Sequence, residues 1–122
     1  MEEIQLITIP HLLVDALECA GPLDDAGAIQ SAMKTAAESV GAEVVGQAEY
    51  RYVPHGVTAV LFLAESHILV STWPEHNTAL FDILLCNESM DPNVVADSLL
   101  DAFSANRSTR TPVSRKVLDA SV

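Results

Sequence analysis

Between residues 57 and 86 the chain carries three short aliphatic runs, VTAVLFL, HILVSTW and TALFDILLC, broken by AES and by PEHN. Runs of seven to nine residues rich in Val, Ile, Leu, Phe and Thr are strand-length, too short for buried helices. The first two are about three residues apart, which predicts a β-hairpin with Glu65, Ser66 and His67 near its turn. Within them LFL and ILL are apolar at successive positions, so both faces of the sheet are expected to be covered. One cover must come from helices, and a second copy of the chain is the simplest source of the other. A homodimer packed sheet to sheet is therefore expected.

The flanking segments supply the helices. Asp24 or Asp25 can cap a helix in which Ile29, Met33, Ala36 and Val40 share a face, and Gly41 stands where a C-terminal cap belongs. Asp91-Pro92 opens a second helix with Val95, Leu99, Ala102 and Phe103 as its buried stripe. LITIPHLLV at 6–14 reads as an edge strand or a strand broken at Pro10, and ECAGPLDDAG as a loop. AEVVGQAEYRYV reads as two extended pieces, Val44 and Val45 in one and Tyr50 and Tyr52 on one side of the other; RTPVSRKVL returns as an edge strand. The order strand, helix, several strands, helix, strand gives an α+β fold. It is a two-layer α/β sandwich, a mainly antiparallel sheet with two helices on one face. The 122 residues fit a single domain, 1–122, with no internal repeat.

Six basic against 17 acidic residues give a formal charge of −11, which argues against a nucleic-acid partner and suits a small cationic ligand. Arg107, Arg110, Arg115 and Lys116 crowd the end of the chain, expected as a solvated end that frays rather than a phosphate site. The acidic start, MEEIQ, is unlike a signal peptide, and no apolar run reaches membrane-spanning length. A cytoplasmic protein with no membrane partner is expected. Cys19 and Cys86 are expected as free thiols, and no metal site is expected.

Serine in a tight turn is ordinarily polar punctuation. No G-x-S-x-G elbow or Ser-His-acid triad accompanies Ser66, and His67 would point to the opposite face if the turn opens directly into a strand. A hydroxyl at a strained turn has another use: it can attack the preceding carbonyl, turn the amide into an ester and, by elimination, cut the chain to leave a pyruvoyl group. That electrophile forms a Schiff base with an amine and draws off the electrons released on decarboxylation.

The blocks HGVTAV, LAESHILVSTWPE and FDILLC, with PHLLVDALECAG near the start, resemble the pyruvoyl-dependent S-adenosylmethionine decarboxylase proenzymes of bacteria and archaea over about residues 8–103. The resemblance implies self-cleavage between Glu65 and Ser66 into 1–65 and 66–122, with Ser66 becoming the pyruvoyl cofactor. It implies decarboxylation of S-adenosylmethionine to the aminopropyl donor for spermidine. Thr58 matches the hydroxyl used in processing, Cys86 the proton donor to the substrate carbon, Glu75 the group that holds the ribose and Tyr52 the ring that stacks on adenine. Taken without the resemblance, Tyr52 reads as half-buried sheet surface, Glu75 as a solvated strand end and Cys86 as a small core residue.

One position departs from the family pattern: the processing histidine five residues after the serine is Ser71 here. A hydroxyl is a much weaker base than imidazole, so elimination should slow unless His55, His67 or His76 substitutes. Ala59, His76-Asn77 and Leu85-Cys86-Asn87 also differ from the pattern. Two other readings follow, a pyruvoyl decarboxylase of ornithine or arginine and an unprocessed, non-catalytic homologue.

Overall fold

The computed structural model describes residues 4–120. Its strands are β1 (Leu6–Cys19), β2 (Val44–Arg51), β3 (Val57–Leu63), β4 (Ser66–Trp73), β5 (Thr78–Leu84) and β6 (Ala105–Leu118). Helix α1 (Ala26–Ser39) follows β1 and helix α2 (Pro92–Ala102) follows β5. The strands form one sheet in the order β2-β3-β4-β5-β1-β6, antiparallel at every pairing. Both helices pack on one face. There Leu12, Val14, Ala16, Val57, Ala59, Leu61, Ile68, Val70, Phe81 and Ile83 meet Ile29, Met33, Ala36, Val95 and Leu99 in a single core. The predicted two-layer α/β sandwich is the fold observed.

The helix boundaries follow from local chemistry. Of the two candidate caps, Asp25 closes α1 by accepting from Ala28 N at 3.0 Å, while Asp24 is used elsewhere. Gly41 takes φ +73° just past the helix, the left-handed conformation that glycine adopts without penalty. Asp91 accepts from Asn93 N at 2.9 Å with Pro92 at the first helical position. Replacing Asp25 by alanine should lower stability by about 1 kcal/mol without changing the fold. Urea titration followed by circular dichroism measures it.

Several expectations are corrected. β1 is neither broken nor at an edge: it runs through Pro10 between β5 and β6. Its ladder with β5 begins at His11 opposite Leu84, so Pro10 lacks its N–H just beyond the end of that ladder, while its carbonyl still accepts from Leu85 N at 3.0 Å. The strand takes in Glu18 and Cys19, which shortens the expected loop. β2 is one strand with an irregularity between Val44 and Gly46, not two pieces. Ala102 is exposed, and Ala96 occupies the stripe with Val95, Leu99 and Phe103. The basic end does not fray: β6 pairs with β1 from Ala105 to Leu118, giving Arg115 and Lys116 fixed places on an edge strand.

The second face of the sheet is open in the single chain. It carries His11, Leu13, Asp15, Thr58, Phe62, His67, Ser71, Trp73, Leu80 and Asp82, set by alternation with the helix-facing residues. Phe62, Trp73, Leu80 and Leu13 are 46%, 40%, 38% and 37% exposed, so the covering expected from the LFL and ILL runs is absent on this side.

Candidate functional site

The hairpin of β3 and β4 forms as the sequence predicts, with Leu63 opposite Ser66 and only Ala64 and Glu65 between the strands. Glu65 adopts φ +64°, a left-handed conformation that costs a non-glycine residue about 1 kcal/mol. The Glu65–Ser66 peptide bond therefore lies immediately after a strained residue. Ser66 Oγ turns back toward the Ala64 carbonyl at 3.4 Å. His67 points to the open face, as predicted, where its Nε2 meets Asp82 Oδ1 at 3.2 Å; His11 Nε2 meets the same oxygen at 2.7 Å.

Beside this turn lies a cavity of about 500 Å3, lined by Glu65, Cys86, Leu84, Ile7, Ile9, Arg115, Lys116 and Val117. Cys86 is part-buried and free. Cys19, the other free thiol, is buried far from this cavity, and burial pushes its thiol up against the opposing hydrogen bond from the Ala79 backbone. Sequence patterns do not single out Arg115, because its approach to Glu65 depends on the pairing of β6 with β1.

The other candidates gather at the far end of β4. Thr58 lies opposite Ser71, and their hydroxyls are 2.9 Å apart; Tyr52 Oη lies 3.1 Å from Thr58 Oγ1. These three residues, with His55, Thr72, Trp73 and Glu75, line a cavity of about 410 Å3. Glu75 stands on the single turn of 3-10 helix Pro74–His76, and its carboxylate lies against His55 Nε2 as an ion pair. Tyr50 stacks at a tilt on Tyr52 with ring centroids 5.0 Å apart.

The loop that carries His55 is held on three sides. Gly56 N donates to Asp24 Oδ1 at 2.7 Å, Tyr52 N donates to the Gly56 carbonyl at 2.8 Å, and Val57 N donates to Thr72 Oγ1 at 3.0 Å. Gly56 is required here, since φ is +105° and a Cβ would meet the Thr72 carbonyl oxygen at 3.2 Å. Asp24 is a support that no motif announces, acting on Gly56 across 32 residues of chain, while Thr72, the first residue of the TWPE block, acts on Val57 across 15.

Tyr52, Thr58, Ser71 and Glu75 are thus brought together, and Glu65, next to Ser66 in the chain, shares a cavity with Cys86, but the two groups stand apart. Ser66 and Ser71 are five residues apart on one extended strand, ~16 Å at the usual rise of about 3.3 Å per residue.

The family model described as S-adenosylmethionine decarboxylase matches residues 10–116. The chain is 37% identical over 98 residues to the S-adenosylmethionine decarboxylase proenzyme of Thermotoga petrophila, covering 80% of this chain and 75% of that one. It is 34% identical over 113 residues to the proenzyme of Acetivibrio thermocellus, covering 92% and 91%. The crystal structure of the adenosylmethionine decarboxylase of Aquifex aeolicus superposes with a TM-score of 0.83 at 24% identity, over 93% of this chain and 96% of that one, which shows a common fold. With the match running from β1 into β6 and taking in Glu65, Ser66, Cys86 and the whole cavity of Tyr52 and Glu75, the chain belongs to the S-adenosylmethionine decarboxylase family.

Proposed function

We propose that the chain is a proenzyme that cuts itself between Glu65 and Ser66 and, once cut, decarboxylates S-adenosylmethionine. The observation that carries this reading is the positive φ of Glu65 at the Glu65–Ser66 bond, inside the stretch 10–116 that the family model matches. Attack of Ser66 Oγ on the Glu65 carbonyl carbon exchanges the peptide bond for an ester, frees the Ser66 amine and relieves the left-handed strain. Loss of the Ser66 Cα proton then forms a Cα–Cβ double bond and expels the Glu65 carboxylate; water replaces the nitrogen as ammonia and leaves a pyruvoyl group. The cavity beside the turn fits that group, with Ile7, Ile9, Leu84 and Val117 as aliphatic walls and a thiol at one side.

A pyruvoyl group formed at Ser66 would supply the carbonyl for a Schiff base with the substrate amine and the sink for the electrons released on decarboxylation. The remaining work falls to side chains. Cys86 Sγ delivers a proton to the substrate carbon, the Tyr52 ring offers a face to adenine, and Glu75 accepts from the ribose hydroxyls. A net charge of −11 favours approach of a sulfonium cation.

Thr58, opposite Ser71, lies ~16 Å from Ser66 along β4 at a rise of about 3.3 Å per residue, and Glu75 lies farther still, past the end of the strand, so both are beyond direct reach within one chain. A two-fold dimer with open faces in contact runs the strands of one copy against those of the other. It sets Ser66 of one copy near the Thr58 and Glu75 cavity of its partner. Such a contact also covers Leu13, Phe62 and Leu80. We therefore read the enzyme as a homodimer with two composite sites.

The test is the intact mass of the purified protein under denaturing conditions, with carbon dioxide release from carboxyl-labelled S-adenosylmethionine. Two chains, 1–65 and a 66–122 chain without a free amino terminus, are expected, together with labelled gas. A single 13.1 kDa chain that stays whole on incubation would refute self-cleavage and return the reading to a non-catalytic homologue. Cleaved protein that leaves S-adenosylmethionine intact but converts ornithine or arginine would refute the substrate alone.

A further inference from the structure

We propose that His55, oriented by Glu75, is the base that removes the Cα proton of Ser66 during self-cleavage, in the place left by Ser71. The inference rests on the proenzyme and two-copy reading above, in which Ser66 of one copy meets the His55 cavity of the other. The elimination needs a proton acceptor, and the groups directly at the matched position are hydroxyls: Ser71, Thr58 2.9 Å from it and Tyr52 3.1 Å beyond. Hydroxyls chained by hydrogen bonds relay or orient, but they are weak acceptors near neutral pH.

One imidazole opens into the same cavity, and it is His55. The other histidines are committed elsewhere. His11 and His67 share the Asp82 carboxylate in the middle of the open face, and His76 lines a separate cavity with Glu18 and Cys19. The loop that carries His55 is itself fixed, by the Gly56 to Asp24 and Tyr52 to Gly56 hydrogen bonds.

The contact with Glu75 sets its chemistry. With Nε2 set against the Glu75 carboxylate, Nδ1 is the ring nitrogen left to accept a proton. The Cα proton of Ser66 passes to Nδ1, the C–H pair becomes the Cα–Cβ double bond, and the Cβ–Oγ pair leaves with the Glu65 carboxylate. No other reactant is required. The second carboxylate oxygen of Glu75 stays available for a ribose hydroxyl once cleavage is complete, so the two uses of Glu75 do not conflict.

The experiment follows chain mass against time in wild type, His55→Gln, His55→Asn and Glu75→Gln, with circular dichroism as the check of fold. Each sample is also treated with hydroxylamine, which splits an ester between residues 65 and 66 but leaves a peptide bond whole. His55→Gln and His55→Asn should be cut about 10²- to 10⁴-fold more slowly while hydroxylamine splits the uncut chain, because the ester forms and waits for a base. Glu75→Gln should accumulate the same ester. Adding Ser66→Ala protein, which retains His55, should restore cleavage of His55→Gln chains through mixed dimers. Cleavage of a wild-type chain alongside His55 variants cut at the same rate would overturn the assignment alone. Folded His55 variants that neither cut nor yield to hydroxylamine would also overturn it, since that pattern belongs to a structural residue. A wild-type chain that is never cut would overturn the proenzyme reading itself.

Discussion

Replacing Ser66 by alanine should leave one uncut chain of 13.1 kDa and remove decarboxylation entirely, with the fold unchanged. Both losses have one cause. Alanine has no oxygen to attack the Glu65 carbonyl, so the ester never forms, and it has no leaving group on Cβ, so no electrophile can arise at position 66. Ser66 is only part-buried, at the first position of β4, and its hydroxyl makes one long contact to the Ala64 carbonyl, so little packing is lost. Thermal unfolding should shift by no more than about 0.5 kcal/mol, the range of a surface substitution. Denaturing mass measurement and labelled carbon dioxide release are the readouts. An alanine variant that still liberated carbon dioxide would mean that the chemistry resides elsewhere in the molecule. Cysteine at the same position separates the steps, since a thiol can still attack and form a thioester.

The sandwich was legible because its signals are local. Strand-length apolar runs mark β3, β4 and β5, and Asp24 or Asp25, Gly41 and Asp91-Pro92 mark helix ends by chemistry confined to one turn. What failed was relational. Pro10 looks like a strand breaker until it is known that β5 stops one residue short of it, and four basic residues look like a loose end until β6 is paired along the whole of β1. The site divides the same way. The ESH and TWPE blocks identify Ser66 and Glu75 in order along the chain, but strand geometry sends Ser66 and Ser71 to opposite ends of β4. The approach of His55 to Glu75 needs a loop pinned by Asp24, 32 residues before Gly56 in sequence. Sequence selects the chemistry; the register decides which groups can share a substrate.

That separation makes a second large effect predictable. Leu13→Lys should give a folded, uncut monomer in which every residue assigned to cleavage is still present. Leu13 is 37% exposed on the open face and stands opposite Asp82 on β5, so in a single chain the new ammonium reaches water and has a carboxylate beside it. In a face-to-face dimer the two-fold axis repeats the substitution, and two ammonium groups lose their water in the same layer. The penalty is several kcal/mol per buried ion, and even ~4 kcal/mol weakens association about 1,000-fold. Light scattering should report the monomer and denaturing mass the uncut chain. Cleavage by a proven monomer at the wild-type rate would refute action between copies, and a Leu13→Lys dimer of undiminished strength would place the interface elsewhere. With ~16 Å between Ser66 and Ser71 at about 3.3 Å per residue, an uncut monomer is the outcome a composite site requires, because Thr58 and His55 have no second Ser66 to act upon.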